Sequence, residues 1–172
     1  MHIFIFAQLI GLISWSLLVY SYYKKDINNI LKYQVIGGIF EILHYFLLGA
    51  FSGLVVVVLE LIRDFSYYKT KHDKYIFIIS LPVYFFIGYY SYNHIIDLLP
   101  VAASAIDGYA LTTKKKIAVI GSIINNSLWL LYDLYCGSLI GVIAEIIFIM
   151  SNLYIIWHDK NEIKNKKIIN SI

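Results

Sequence analysis

Residues 43–53 read L-H-Y-F-L-L-G-A-F-S-G, and residues 131–141 read L-Y-D-L-Y-C-G-S-L-I-G. A shift of 88 residues lays the second stretch on the first, and both close on a G-x-x-x-G pair, Gly49/Gly53 and Gly137/Gly141. Literal identities are few: Leu43 with Leu131, and the two glycine pairs. The match therefore rests on punctuation and hydropathy, and it extends outward. Lys24 and Lys25 fall within a residue or two of the run Lys114–Lys116 under the same shift. Paired small residues let helices approach closely where lipid removes the hydrophobic drive, and glycine also serves tight turns. Both readings stand at this level.

The composition fixes the solvent. Of 172 residues, 60% are hydrophobic and 15% charged, too little charge to cover a soluble surface. Apolar runs occupy roughly 3–22, 30–48, 50–68, 75–92, 95–112, 117–135 and 138–157, each near the ~20 residues that cross about 30 Å of hydrocarbon. Seven such spans leave no room for a soluble catalytic or nucleic-acid-binding domain.

The net charge of +3 is explained by position. Lys and Arg cluster at Lys24, Lys25 and Lys32; at Arg63, Lys69, Lys71 and Lys74; at Lys114–Lys116; and at Lys160, Lys164, Lys166 and Lys167. The connections after spans two, four and six contain none. With seven spans all fourteen basic residues share one side, and the positive-inside rule makes that side the cytoplasm. The N-terminus is then outside and the C-terminus inside. The opening M-H-I-F-I-F-A-Q lacks a basic n-region and a cleavage site, so it reads as an outside-first span and not a removable signal.

Two three-span units entering from the same side need an extra crossing between them. The expected fold is therefore all-α and integral to the membrane. It has a first three-helix repeat (1–72), a linker helix (73–94), a second repeat (95–160) and a basic cytoplasmic tail (161–172). Parallel 3+1+3 repeats of this kind occur among transporters, with the solute between the repeats near the midplane.

Ionisable side chains inside membrane helices are costly and usually face protein or water. Glu41, His44 and Tyr45 share one face of span two, and the repeat sets Trp129, Tyr132 and Asp133 against them in span six. Asn125, Asn126, Trp129 and Asp133 continue down span six. Amides offer donors and acceptors, and Trp a flat apolar plate with an N–H, a set suited to a hydroxylated ring. With Trp15 from span one, these nine residues are the candidate substrate-binding set. Polar residues also lock membrane helices together, at about 0.6 kcal/mol per contact, which is the competing reading. Glu60, Arg63 and Asp64 at i, i+3 and i+4, with Glu145 in span seven, form a charge cluster that is either a structural knot or a gate. Asp97 reads as solvated, and Asp107 as a helix end capped before Lys114. One His44 without a second ligand at metal spacing gives no metal site, and Cys136 alone excludes an internal disulfide.

Residues 5–160 resemble the YgjV-like family of bacterial inner-membrane proteins. The resemblance is carried by A-Q-L-I-G, H-Y-F-L-L-G-A-F-S-G, L-L-P-V-A-A-S, N-S-L-W-L-L-Y-D and G-S-L-I-G-V-I-A-E. It implies a multi-pass protein of the bacterial cytoplasmic membrane. The 3+1+3 plan is also similar to the SWEET sugar facilitators and the PnuC vitamin transporters, which implies passive movement of a small polar metabolite. The Pro-Gln dipeptide common in relatives of the sugar facilitators is absent; Pro100 is followed by Val101.

The expectation is a transporter or facilitator of a sugar, nucleoside or vitamin-like solute. The alternative is a non-transporting membrane scaffold or accessory subunit. No nucleophile motif with a base points to an enzyme, and no cofactor is expected. Expected partners are membrane lipid and the small-molecule solute, with no nucleic acid; a homo-oligomer is compatible with the sequence.

Overall fold

A computed structural model describes residues 2–24, 26–70 and 73–169. Lys25, Lys71 and the last three tail residues lie outside the described residues. Among the described residues seven α-helices account for the apolar runs: α1 (His2–Tyr22), α2 (Ile27–Leu48), α3 (Phe51–Thr70), α4 (Asp73–Ser91), α5 (Leu98–Leu111), α6 (Lys115–Cys136) and α7 (Leu139–Ile169). A 3-10 turn, Ile95–Asp97, precedes α5. By length and composition α1, α4, α6 and α7 can each cross a membrane. Helix α5 is only about 21 Å long, while α2 and α3 dilute their apolar runs with Glu41, His44, Glu60, Arg63 and Asp64.

The helix ends follow from local chemistry. Asp26 caps α2 by accepting from the Asn29 N–H at 3.1 Å. Gly49 and Gly137 end α2 and α6 in the left-handed region, at φ 72° and 77°, where a side chain is strained. The next backbone N–H then reaches back over the turn, Ala50 to Tyr45 O and Ser138 to Asp133 O, each at 2.9 Å. Ala50 O and Ser138 O in turn accept from Leu54 and Val142. The two turns thus make the same bonds 88 residues apart. The glycine pairs divide their labour: the first of each pair is a turn, whereas the second, Gly53 or Gly141, is a close-packing position.

Connections of a few residues force neighbouring helices to run antiparallel. Lys24, Lys69 and Lys114 therefore fall at one end of the bundle, here the basic end, and Gly49 and Gly137 at the other, the glycine-turn end. At the basic end the Lys24 ammonium lies 4.0 Å from the Tyr20 ring centroid and donates to its hydroxyl at 2.6 Å. The sequence ends the last span at 157, but α7 runs on without a break to Ile169, so most of the expected tail is helical.

Helices pack in a closed circuit: α1 on α2, α2 on α3, α3 on α5, α5 on α6, α6 on α7, and α7 back on α1. Helix α4 stands outside this ring against α3 and α5. Its outward face is apolar, with Ile79, Phe85 and Tyr89 each at least 70% exposed, as suits a lipid boundary. The buried core, including Tyr45, Val56, Ala103, Trp129 and Tyr132, lies toward the glycine-turn end. The other half of the ring is hollow.

Candidate functional site

The glycine-turn end is closed by a layer of hydrogen bonds that crosses the ring. The Tyr45 hydroxyl of α2 donates to Asp133 Oδ1 of α6 at 2.9 Å, and the two residues are 88 positions apart. The Tyr45 ring stacks on Trp129 with centroids 5.7 Å apart. Tyr132 reaches from α6 to the start of α3, accepting from Ser52 Oγ at 2.9 Å and the Gly53 N–H at 3.0 Å. Its counterpart at the same offset, His44, reaches from α2 to the start of α7. Its Nε2 meets Ser138 Oγ at 2.8 Å and its Nδ1 meets Ala7 O at 2.7 Å. A carbonyl only accepts, so Nδ1 carries the proton and Nε2 accepts from the serine. Gln8 of α1 seals the α6–α7 turn by donating to Gly137 O at 2.9 Å and accepting from the Ile140 N–H at 3.2 Å.

Small residues make this layer fit. A Cβ on Gly11 would meet the His44 ring at 2.8 Å, and one on Gly53 would meet the Tyr132 ring at 2.7 Å. One on Gly141 would overlap the Asp133 carboxylate and the Ser138 hydroxyl. Removing the central bond is the mildest perturbation. Tyr45→Phe is expected to lower stability by about 0.6–1.7 kcal/mol, the range of interhelical hydrogen bonds in membranes. Partly buried Cys136, whose Sγ lies 3.7 Å from Asp133 O, should react faster with a thiol reagent added from the glycine-turn side. Unchanged labelling would show that Tyr45 does not hold the layer shut.

Beneath the layer lies a cavity of about 670 Å³. It runs from Glu41, Val57, Trp129 and Glu145 near the bundle's middle to Tyr23, Phe65 and Ile155 near the basic end. Of the nine residues expected to bind substrate, Trp15, Glu41, Asn125, Asn126 and Trp129 line it. His44, Tyr45, Tyr132 and Asp133 are brought together in the closing layer instead. The two polar faces of α2 and α6, expected to oppose each other across a gap, touch at this end and part only below it. Glu60, Asp64 and Glu145 also line the cavity, so Glu145 belongs to the wall and not to a knot around Arg63. Neither Phe148, whose ring lies 5.6 Å from that of Trp15, nor the wall amides Gln34 and Asn152 was identified from the sequence.

Arg63, 4% exposed, ties α3 to α5 behind the cavity. Its Nε donates to Asp64 and its Nη2 to Asp107, both at 2.8 Å. Its Nη1 donates to Ser104 O at 2.9 Å and to the Tyr84 hydroxyl of α4 at 3.3 Å. Asp107 is therefore an ion-pair partner and not a capped helix end. Asp97, expected to be solvated, caps the 3-10 turn instead, accepting from the Asn93 and His94 N–H groups. Among the described residues no group of His, Cys, Asp and Glu has the arrangement of a metal site.

A family profile described as bacterial inner membrane protein, Imp-YgjV, matches residues 5–162. The chain is also 23% identical over 151 residues to the inner membrane protein YgjV of Escherichia coli (strain K12), covering 85% of this chain and 80% of that protein. No solved structure matches.

Proposed function

The chain belongs to the YgjV family of bacterial inner membrane proteins, and from that premise we propose that it carries a small polar solute across the inner membrane. The observation that carries this reading is the cavity itself: walled by a ring of six helices, lined by carboxylates and amides among apolar side chains, and shut at one end by a hydrogen-bonded layer. A cavity of about 670 Å³ is in the size range of small-molecule sites. In the carrier reading, helices 1–3 and 5–7 form parallel repeats and α4 the inverting linker. The basic end faces the cytoplasm by the positive-inside rule. The matched turns and the pairing of Tyr45 with Asp133 support this reading, because residues 88 apart meet where an axis between two repeats would pass. Solute crosses when the layer parts and the basic end closes.

A purely structural role for the polar residues, as in a scaffold or accessory subunit, predicts a different outcome. Purified protein in liposomes should take up at least one solute from a panel of labelled amines, sugars, nucleosides and vitamins faster than protein-free liposomes do. Uptake of none of them, together with binding of none by the folded protein, would sink the carrier reading.

A further inference from the structure

Glu41, Glu60 and Glu145 enter one cavity from three helices, α2, α3 and α7. Among the described residues no lysine, arginine or histidine lines it. Arg63 stands behind the wall with its N–H groups directed at Asp64, Asp107, Ser104 and Tyr84. The charged neighbours of Glu145 are Asp133, Glu41 and Glu60, all acidic, and those of Glu41 are Glu60 and Asp133. Glu60 has Arg63 as a charged neighbour behind the wall, but among the described residues Glu41 and Glu145 converge with no cation beside either, and carboxylates inside membrane helices are costly unless paired.

The acidic cluster does not stand alone. Glu145 is only 4% exposed, and its Oε2 has no hydrogen-bond partner among the described residues. Asn125 Oδ1, also on the cavity wall, has none either. Both orphaned atoms are acceptors. What the cavity lacks among the described residues is a lining cation. What it has besides acceptors is aromatic surface: the Trp15–Phe148 pair on one wall and Trp129 at the closed end. Aromatic faces attract cations, Trp most strongly.

We propose that the solute is an organic cation with N–H donors and an apolar or aromatic body, its ammonium held by Glu145 and Glu41 and its body laid against Trp15, Phe148 and Trp129. This deepens the carrier reading, on which it rests, by naming the class of solute.

The full-length protein in detergent, titrated with benzylammonium chloride at fixed ionic strength, tests it. Tryptophan fluorescence and the thermal midpoint report binding, and benzyl alcohol serves as the neutral ligand of the same shape. Benzylammonium should quench saturably and raise the midpoint, with benzyl alcohol at least tenfold weaker. Glu145→Gln and, separately, Glu41→Gln should each weaken benzylammonium at least tenfold and leave benzyl alcohol unchanged. If Glu145→Gln does not fold, Glu41→Gln carries the comparison. Equal affinity for the two ligands, or unchanged benzylammonium affinity in the folded variants, would overturn the assignment. Charge-selective binding without any flux in liposomes would keep the cation site and remove the carrier reading. Flux of uncharged solutes alone would do the reverse.

Discussion

Replacing Arg63 by alanine is expected to destabilise the protein by about 3–5 kcal/mol, the cost of breaking a buried charge network by deleting one partner. The guanidinium joins three helices at once, through Asp107 and the Ser104 carbonyl on α5 and the Tyr84 hydroxyl on α4. Its loss leaves Asp107 beside Asp64 with no cation between them. Gly108 brings α5 close enough for this, since a Cβ there would stand 3.1 Å from Arg63 Nη1. Arg63→Lys keeps the charge but not the planar fork that serves several acceptors, so it should recover only part of the loss. Thermal denaturation in detergent measures both variants. An alanine variant as stable as wild type would mean that the network is incidental to the α3–α4–α5 junction.

Gly141→Val should be the most damaging single change at the closed end. Gly141 is helical, so the penalty is one of space: the Asp133 carboxylate and the Ser138 hydroxyl occupy the place of the new Cβ. Overpacking of this kind costs about 1–3 kcal/mol, and here it also pushes on the serine that holds His44. The layer should loosen, with a lower thermal midpoint and faster thiol labelling of Cys136 from the glycine-turn side. Gly88→Ala is the matched control. A Cβ there meets Leu98 and Val101 at an ordinary 3.5 Å and should change neither readout. If Gly141→Val keeps its midpoint and Cys136 stays protected, the layer is not the barrier described.

Position along each helix was readable from the sequence; rotation about the helix axis was not. The apolar run 30–48 became Ile27–Leu48, and the run 117–135 became Lys115–Cys136. Gly49 and Gly137, paired by a shift of 88 residues, both end helices in the left-handed region, and Tyr45 bonds Asp133. Which way a side chain faces is hard to read in a membrane helix, because lipid is as apolar as the protein interior and amphipathic periodicity fades. Asp107 was assigned to a helix end because Lys114 is near in sequence, while its partner Arg63 comes from another helix. His44 and Tyr132 both lie in the closing layer, where they reach α7 and α3 and do not line the cavity. Glu145 had no sequence cue beyond being a carboxylate in an apolar run. Its convergence with Glu41 and Glu60 depends on the closed ring, which no local pattern encodes.

The claim that this ring carries solute by alternating access is tested most directly by counterflow. Proteoliposomes preloaded with unlabelled benzylammonium are diluted into a trace of the labelled compound. A carrier exchanges one for the other, so label should accumulate transiently above its equilibrium level and then decay, with the overshoot lost in Glu145→Gln. Labelled entry no faster than into protein-free liposomes, or entry that rises to equilibrium without an overshoot, would contradict the account.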